Sequence, residues 1–180
     1  EVLRAAAWAY CSLGGNVVEP YPSYSAVGSA AAAIPGANVV RKIVPLDREN
    51  RLDVAAICAA IDSDTRVVVI CNPNNPTGTK ITLSEIEQII SKTPSEALVF
   101  VDEAYIEFTD DPASETAIEF AKSRSNVLVS RTFSKIHGLA QKCSGSSSLQ
   151  TDNFFFDNGF CRFSVTKVSS ADKKLGMPSL

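Results

Sequence analysis

The sequence predicts an α/β fold: a three-layer α/β/α domain built on a mostly parallel sheet. Three observations carry that expectation. Short apolar runs rich in β-branched residues recur at Arg66-Val67-Val68-Val69-Ile70, Ala97-Leu98-Val99-Phe100-Val101 and Asn126-Val127-Leu128-Val129, each bounded by polar residues as buried strands are. Helical spacing separates them, above all at Ile86, Ile89 and Ile90, and strand–helix alternation gives right-handed crossovers and parallel pairing. Each run also ends in a polar cluster, and ligands of open parallel sheets sit beyond the carboxyl ends of the strands. The three clusters bring an amide, a carboxylate with a phenol, and a lysine to one rim.

The remaining elements follow in order. Glu1 to Cys11 is alanine-rich and reads as a helix ended by Gly14-Gly15. Val17-Val18-Glu19 is a short strand, Pro20-Tyr21-Pro22-Ser23-Tyr24 a proline-fixed turn, and Ser25 to Ala33 a helix. The poor alternation of Asn38 to Val44 places a strand near the sheet edge. Asp53 caps a helix running to Ile61. Thr82-Leu83-Ser84-Glu85 is a capping box, and Ser114 to Lys122 a further amphipathic helix.

After Ala140 the character changes. Residues 141–180 hold five of the nine phenylalanines and eight serines, and neither a helical nor a strand period persists through them. The expectation is a domain over residues 1–140 and a poorly ordered, unrelated tail over 141–180. A shifted reading frame, a retained intron or a mis-spliced gene would produce so abrupt a change.

Composition narrows the function. With 45% hydrophobic residues the chain is globular by composition. A net charge of −3 leaves no electrostatic footprint for nucleic acid. No window reaches the ~18 consecutive apolar residues of a membrane span. Glu1 opens straight into a helical pattern, which reads as no signal peptide. The five cysteines (11, 58, 71, 143, 161) form no C-x-x-C pair and no metal-ligand spacing with His137, so a reduced, cytoplasmic compartment and no metal are expected. Cys58 and Cys71 read as small buried hydrophobes. No G-x-G-x-x-G follows a strand, and Gly78-Thr79-Lys80 lacks the upstream glycine of a phosphate-binding loop.

Asn72-Pro73-Asn74-Asn75-Pro76-Thr77-Gly78, Asp102-Glu103-Ala104-Tyr105 and Arg131-Thr132-Phe133-Ser134-Lys135 occur in that order. This set resembles the pyridoxal-phosphate aminotransferases of fold type I, and within them the histidinol-phosphate aminotransferase branch. The likeness runs from Glu1 to about Ala140. It implies a cofactor, pyridoxal 5′-phosphate, and amino and keto acids as substrates. It also implies transfer of an amino group between glutamate and an imidazole acetol phosphate-type compound, and a homodimer for the full-length protein. Such families place a phosphate-binding turn before the first helix, of which Glu1 resembles the last residue. They continue after the lysine with Gly-Leu-Arg-x-Gly, where this chain has Gln141-Lys142-Cys143-Ser144-Gly145. A truncated chain without activity is therefore the competing expectation, and decarboxylases and C–S lyases share the cofactor residues.

The residue chemistry suits those roles. A free lysine, with pKa about 10.4, is almost wholly charged at neutral pH. An active-site lysine such as Lys135 acts through a Schiff base with an aldehyde, and its freed amine can serve as a general base. Asp102 emerges from an apolar layer, where an anion needs a partner such as a protonated pyridine nitrogen. The resemblance assigns ring stacking to Tyr24. Tyr105 and Asn75 can donate to a phenolic oxygen of the ring, and Thr132 and Ser134, on one side of an extended segment, can face a phosphate. Taken singly, each has an ordinary reading: Tyr24 as a core residue, Lys135 as a surface loop lysine, Asp102 as a helix cap. Glu103 and Glu107 read as solvated or helix-start charges.

Overall fold

The computed structural model describes residues 2–136 and two further strands, Asn153–Phe156 and Phe163–Thr166. The order is α1 (Val2–Cys11), β1 (Asn16–Tyr21), α2 (Ala26–Ala32), β2 (Val40–Pro45), α3 (Val54–Ala60), β3 (Thr65–Cys71), α4 (Leu83–Lys92) and β4 (Leu98–Asp102). A 3-10 turn (Ile106–Phe108), α5 (Pro112–Glu115), α6 (Ile118–Ser123), β5 (Val127–Ser130), β6 (Asn153–Phe156) and β7 (Phe163–Thr166) follow. The strands form one sheet in the order β2-β1-β3-β4-β5-β7-β6. β1 to β5 pair in parallel throughout, with β2 on the edge as expected.

Alternation along each strand sorts the core into two layers. Val67, Val69, Leu98, Phe100 and Leu128 pack with Val2, Ala6 and Cys11 of α1 and with Val27 and Ala31 of α2. Val68, Ile70, Val99, Val101, Val127 and Val129 turn the other way, onto Ile57 of α3, Ile86, Ile89 and Ile90 of α4, and Ala121 of α6. Both faces are covered, which is why these strands read as continuous apolar runs. The link from α1 to β1 turns on Gly14 and Gly15, at φ +91° and +95°. A Cβ at Gly15 would stand 2.6 Å from Arg66 Cγ and 2.7 Å from the Asp64 carbonyl, so both conformation and space require glycine.

Local signals set the helix starts. Asp53 caps α3 by accepting the Ala56 N–H at 2.9 Å. At α4 the Glu85 N–H donates to Thr82 Oγ1 at 3.2 Å, and the Thr82 N–H donates to Glu85 Oε2 at 2.7 Å, completing the box. Thr82→Ala is expected to lower unfolding stability by about 1 kcal/mol, the usual cost of a lost N-cap. Urea unfolding at constant slope checks this, and an unchanged midpoint would show that the box contributes nothing.

One element differs from expectation. The helix read over Ser114 to Lys122 is two short helices, α5 and α6. Between them the Thr116 hydroxyl donates to Glu103 Oε2 at 2.8 Å and the Ala117 N–H to Glu103 Oε1 at 2.6 Å. A buried carboxylate thus takes donors that a continuous helix would have used internally. In the region that lacked a sequence period, two segments are strands. β7 pairs antiparallel with β5 at Ser130–Val165, and β6 pairs antiparallel with β7. The open edge of β5 offers unpaired backbone groups, and short Phe- and Val-rich segments suit a strand added there. The rest of the expected tail, with Gln141 to Gly145 and His137, lies outside the described residues. Among the described residues no helix is long and apolar enough to cross a membrane.

Candidate active site

Register brings the ends of three strands level: Cys71 lies beside Asp102, and Asp102 beside Ser130. The loops leaving those ends therefore rise from one line on the sheet, and they carry the residues singled out in the sequence.

The β3 loop is shaped by asparagines. Asn72 closes it at the base, accepting the Ile81 N–H at 2.9 Å and donating to the Ile81 carbonyl at 3.1 Å. Asn74, buried, joins it to the turn before α2. It donates to the Pro22 carbonyl at 3.2 Å and to Thr77 Oγ1 at 2.8 Å, and accepts from Ser23 Oγ at 2.6 Å. Asn75 is thereby held half-buried at the rim, and Tyr24, one residue past Ser23, is brought beside the same loop. Tyr24 is 45% exposed, which speaks against the core-tyrosine reading. Burial first, and then the Asp102 charge, push the Cys71 thiol up to about 11, so this cysteine is an inert packing residue.

Asp102 is the last residue of β4 and is 8% exposed. Its Oδ1 accepts from Ser130 Oγ at 3.2 Å and from the Ala104 N–H at 3.1 Å. Burial raises its pKa; those two hydrogen bonds and Lys135 pull it down, and Glu103 pushes it up. Asp102 caps no α-helix, so the helix-cap reading gives way to that of a buried anion. Tyr105 follows within the loop, and the Lys135 ammonium lies 5.4 Å from the centre of its ring. Lys135 is exposed and stands in a turn. Asn75, Tyr105 and Phe108 line a common groove of about 510 Å³ between the β3 loop and the Tyr105 segment, and Tyr24, Asp102, Thr132, Ser134 and Lys135 are not part of its lining. Thr132 and Ser134 do meet, through that turn rather than an extended segment: their hydroxyls are 2.7 Å apart and the Ser134 N–H donates to Thr132 Oγ1 at 3.1 Å.

The Glu103 reading is corrected. Its side chain is 1% exposed and accepts from Arg131 as well as from Thr116 and Ala117. Glu107 is also partly enclosed, with Oε2 buried and without a partner among the described residues. Asp102 and Glu103 alternate across the end of β4, so one carboxylate faces the rim and the other the helix layer. Asn74, Ser130 and Arg131 were not singled out as site residues in the sequence. Only Ser130 carried a signal, as the residue that closes β5 beside the Asp102 strand.

Fold and rim define a class: a parallel α/β domain presenting an amide, a buried carboxylate, a phenol and a lysine at the carboxyl edge. The sequence model of the family aminotransferase class I and II matches residues 1–146, and the chain belongs to that family. It is 44% identical over 126 residues to a histidinol-phosphate aminotransferase of Rubrobacter xylanophilus, covering 70% of this chain and 35% of that protein. An aromatic amino acid aminotransferase of Rhodococcus jostii is 41% identical over 132 residues, 73% of this chain and 36% of the relative. Among solved structures, the histidinol-phosphate aminotransferase from Sinorhizobium meliloti, in complex with pyridoxal-5′-phosphate, superposes with a TM-score of 0.74. That match has 22% identity and covers 99% of this chain and 43% of that one, and it speaks for the fold. The chain spans about a third of the length of the curated relatives it matches.

Proposed function

We propose that the protein carrying this chain is a pyridoxal-phosphate-dependent aminotransferase of the histidinol-phosphate type. It would move an amino group between glutamate and an imidazole acetol phosphate-type keto compound in histidine biosynthesis. The observation that carries the reading is Asp102. Its carboxylate is buried, its hydrogen bonds among the described residues both fall on Oδ1, and neither comes from a cation. A buried anion in that state suits a protonated ring nitrogen at Oδ2.

The other residues fit the rest of the group. Tyr24 would stack on its ring, Asn75 and Tyr105 would donate to its phenolic oxygen, and the Thr132 and Ser134 hydroxyls would bind its phosphate. When bound, the cofactor supplies an aldehyde that takes up amino groups and an electron-withdrawing ring. Lys135 Nζ would hold the cofactor, and its neutral amine would serve as the base for the proton on the carbon bearing the substrate nitrogen. The centre of the Tyr105 ring lies 5.4 Å from Nζ, which places the phenol and the amine in one neighbourhood. Partners are small amino and keto acids, the assembly a homodimer and the compartment the cytoplasm.

The similarity to an aromatic amino acid aminotransferase favours a second reading, with aromatic keto acids as acceptors. Assay of the purified protein with glutamate against each acceptor decides between them. A kcat/KM at least about a hundredfold higher for the phosphorylated imidazole compound is expected, because a site built for a polar group rejects ligands that leave it unpaired. A preference for aromatic acceptors would replace the first reading with the second.

A further inference from the structure

We propose that Arg131 is a positioning residue that ties the Tyr105 loop to the Lys135 turn and so fixes the lysine amine at the rim. The proposal rests on the reading of Lys135 as the cofactor lysine.

Arg131 is the first residue beyond β5, where the ladder has ended. The last backbone bond there runs from the Glu103 N–H to the Ser130 carbonyl, at 2.8 Å. Past it, the hydroxyls of Thr132 and Ser134 bond to each other, which shapes the turn. The Arg131 side chain supplies an anchor. Its Nε and Nη2 both lie 3.0 Å from Glu103 Oε2, and its Nη1 lies 4.0 Å from Glu107 Oε1. These two glutamates bracket Tyr105 in sequence. One guanidinium therefore bonds to Glu103 before Tyr105 and stands within ion-pair distance of Glu107 after it, while its own backbone carries the turn that ends in Lys135.

The grip is set in a rigid frame. Glu103 is 1% exposed, and its other donors, the Thr116 hydroxyl and Ala117 N–H, come from the break between α5 and α6. A carboxylate buried to this degree needs its cation, and removing one partner of such a pair is costly because the other charge stays behind. Two nitrogens of one planar fork reach the same oxygen, an arrangement a lysine cannot reproduce. Loss of Arg131 leaves the β4 ladder intact and frees the turn beyond β5, so the distance from Lys135 to Tyr105 is no longer fixed.

The test compares the purified protein with Arg131→Gln and Arg131→Lys in two measurements. In cofactor-free protein, hydrogen exchange of amides 132–136 is expected to quicken at least about tenfold in Arg131→Gln, with β3 and β4 unchanged. In the second measurement, pyridoxal 5′-phosphate is titrated, reduced with borohydride, and its attachment to Lys135 read by peptide mass mapping. The half-saturating concentration is expected to rise about tenfold in Arg131→Gln and less in Arg131→Lys, which keeps the charge but not the fork. Equal exchange in the turn, or equal attachment in all three proteins, overturns the proposal. If the wild-type protein attaches no cofactor at Lys135, the reading of the lysine fails. The exchange result still decides whether Arg131 holds the turn.

Discussion

Lys135→Ala is expected to abolish cofactor attachment and amino-group transfer together while leaving the fold in place. The lysine is asked to do two things, to hold the cofactor and to carry the substrate proton. Loss of the second alone lowers turnover by about 10²–10⁴. Stability should change little. Lys135 is exposed and forms no salt bridge among the described residues; its ammonium lies beside the Tyr105 ring and exerts a charge effect on Asp102. Substitutions at such positions usually shift stability by no more than about 0.5 kcal/mol. The measurements are visible absorbance on adding pyridoxal 5′-phosphate, transamination rate, and the thermal midpoint of the cofactor-free protein. A variant that still turned over near the wild-type rate would remove Lys135 from the chemistry. A collapsed thermal midpoint would make its role structural.

How much of this was legible in the sequence depends on whether the cause of each feature is local. The strands at Val67–Ile70, Leu98–Val101 and Val127–Val129 announced themselves because burial on both faces leaves no polar position along them. Asp53 and the Thr82–Glu85 box announced helix starts because the capping bond spans three residues. The rim followed from topology, since parallel strands must deliver their carboxyl ends to one edge. Parallel pairing therefore brings the loops that carry Asn75, Asp102, Tyr105 and Lys135 to one edge.

What escaped was set by partners distant in sequence. Nothing near Glu103 reveals that Thr116, Ala117 and Arg131 converge on it from 13 to 28 residues away. A glutamate in a strand-to-loop corner reads as solvated by default, because buried charges are rare without partners. The split of the helix between α5 and α6 escaped for the same reason, since apolar spacing continues across Thr116. Asn74 and Asn75 are adjacent and chemically identical, and only the position of the Pro22–Ser23 turn decides which of them faces inward.

Asp102→Asn should separate chemistry from stability more sharply than any other substitution. The amide keeps the shape, and can still accept from Ser130 and from the Ala104 N–H, but it cannot balance a protonated ring nitrogen. Removing one preorganised electrostatic partner from an active site costs about 10²–10³ in turnover, and that loss is expected here. Stability should move the other way. Burial raises the folded-state pKa of Asp102 above its ordinary value, so its ionised form is less stable inside the cofactor-free protein than in the unfolded chain. The carboxyl is neutral in both states at sufficiently low pH, and its destabilising effect grows as pH rises from the unfolded value through the raised folded one. The thermal midpoint of Asp102→Asn, relative to wild type without cofactor, should therefore increase as pH rises through and above the ordinary carboxylate range, and then level off. Added pyridoxal 5′-phosphate should reverse the order, stabilising the wild type and barely affecting the variant, because only the carboxylate gains a cationic partner. Equal turnover by Asp102→Asn would defeat the assignment of the ring partner. A midpoint difference independent of pH would show that the buried carboxylate is not what limits the stability of the empty site.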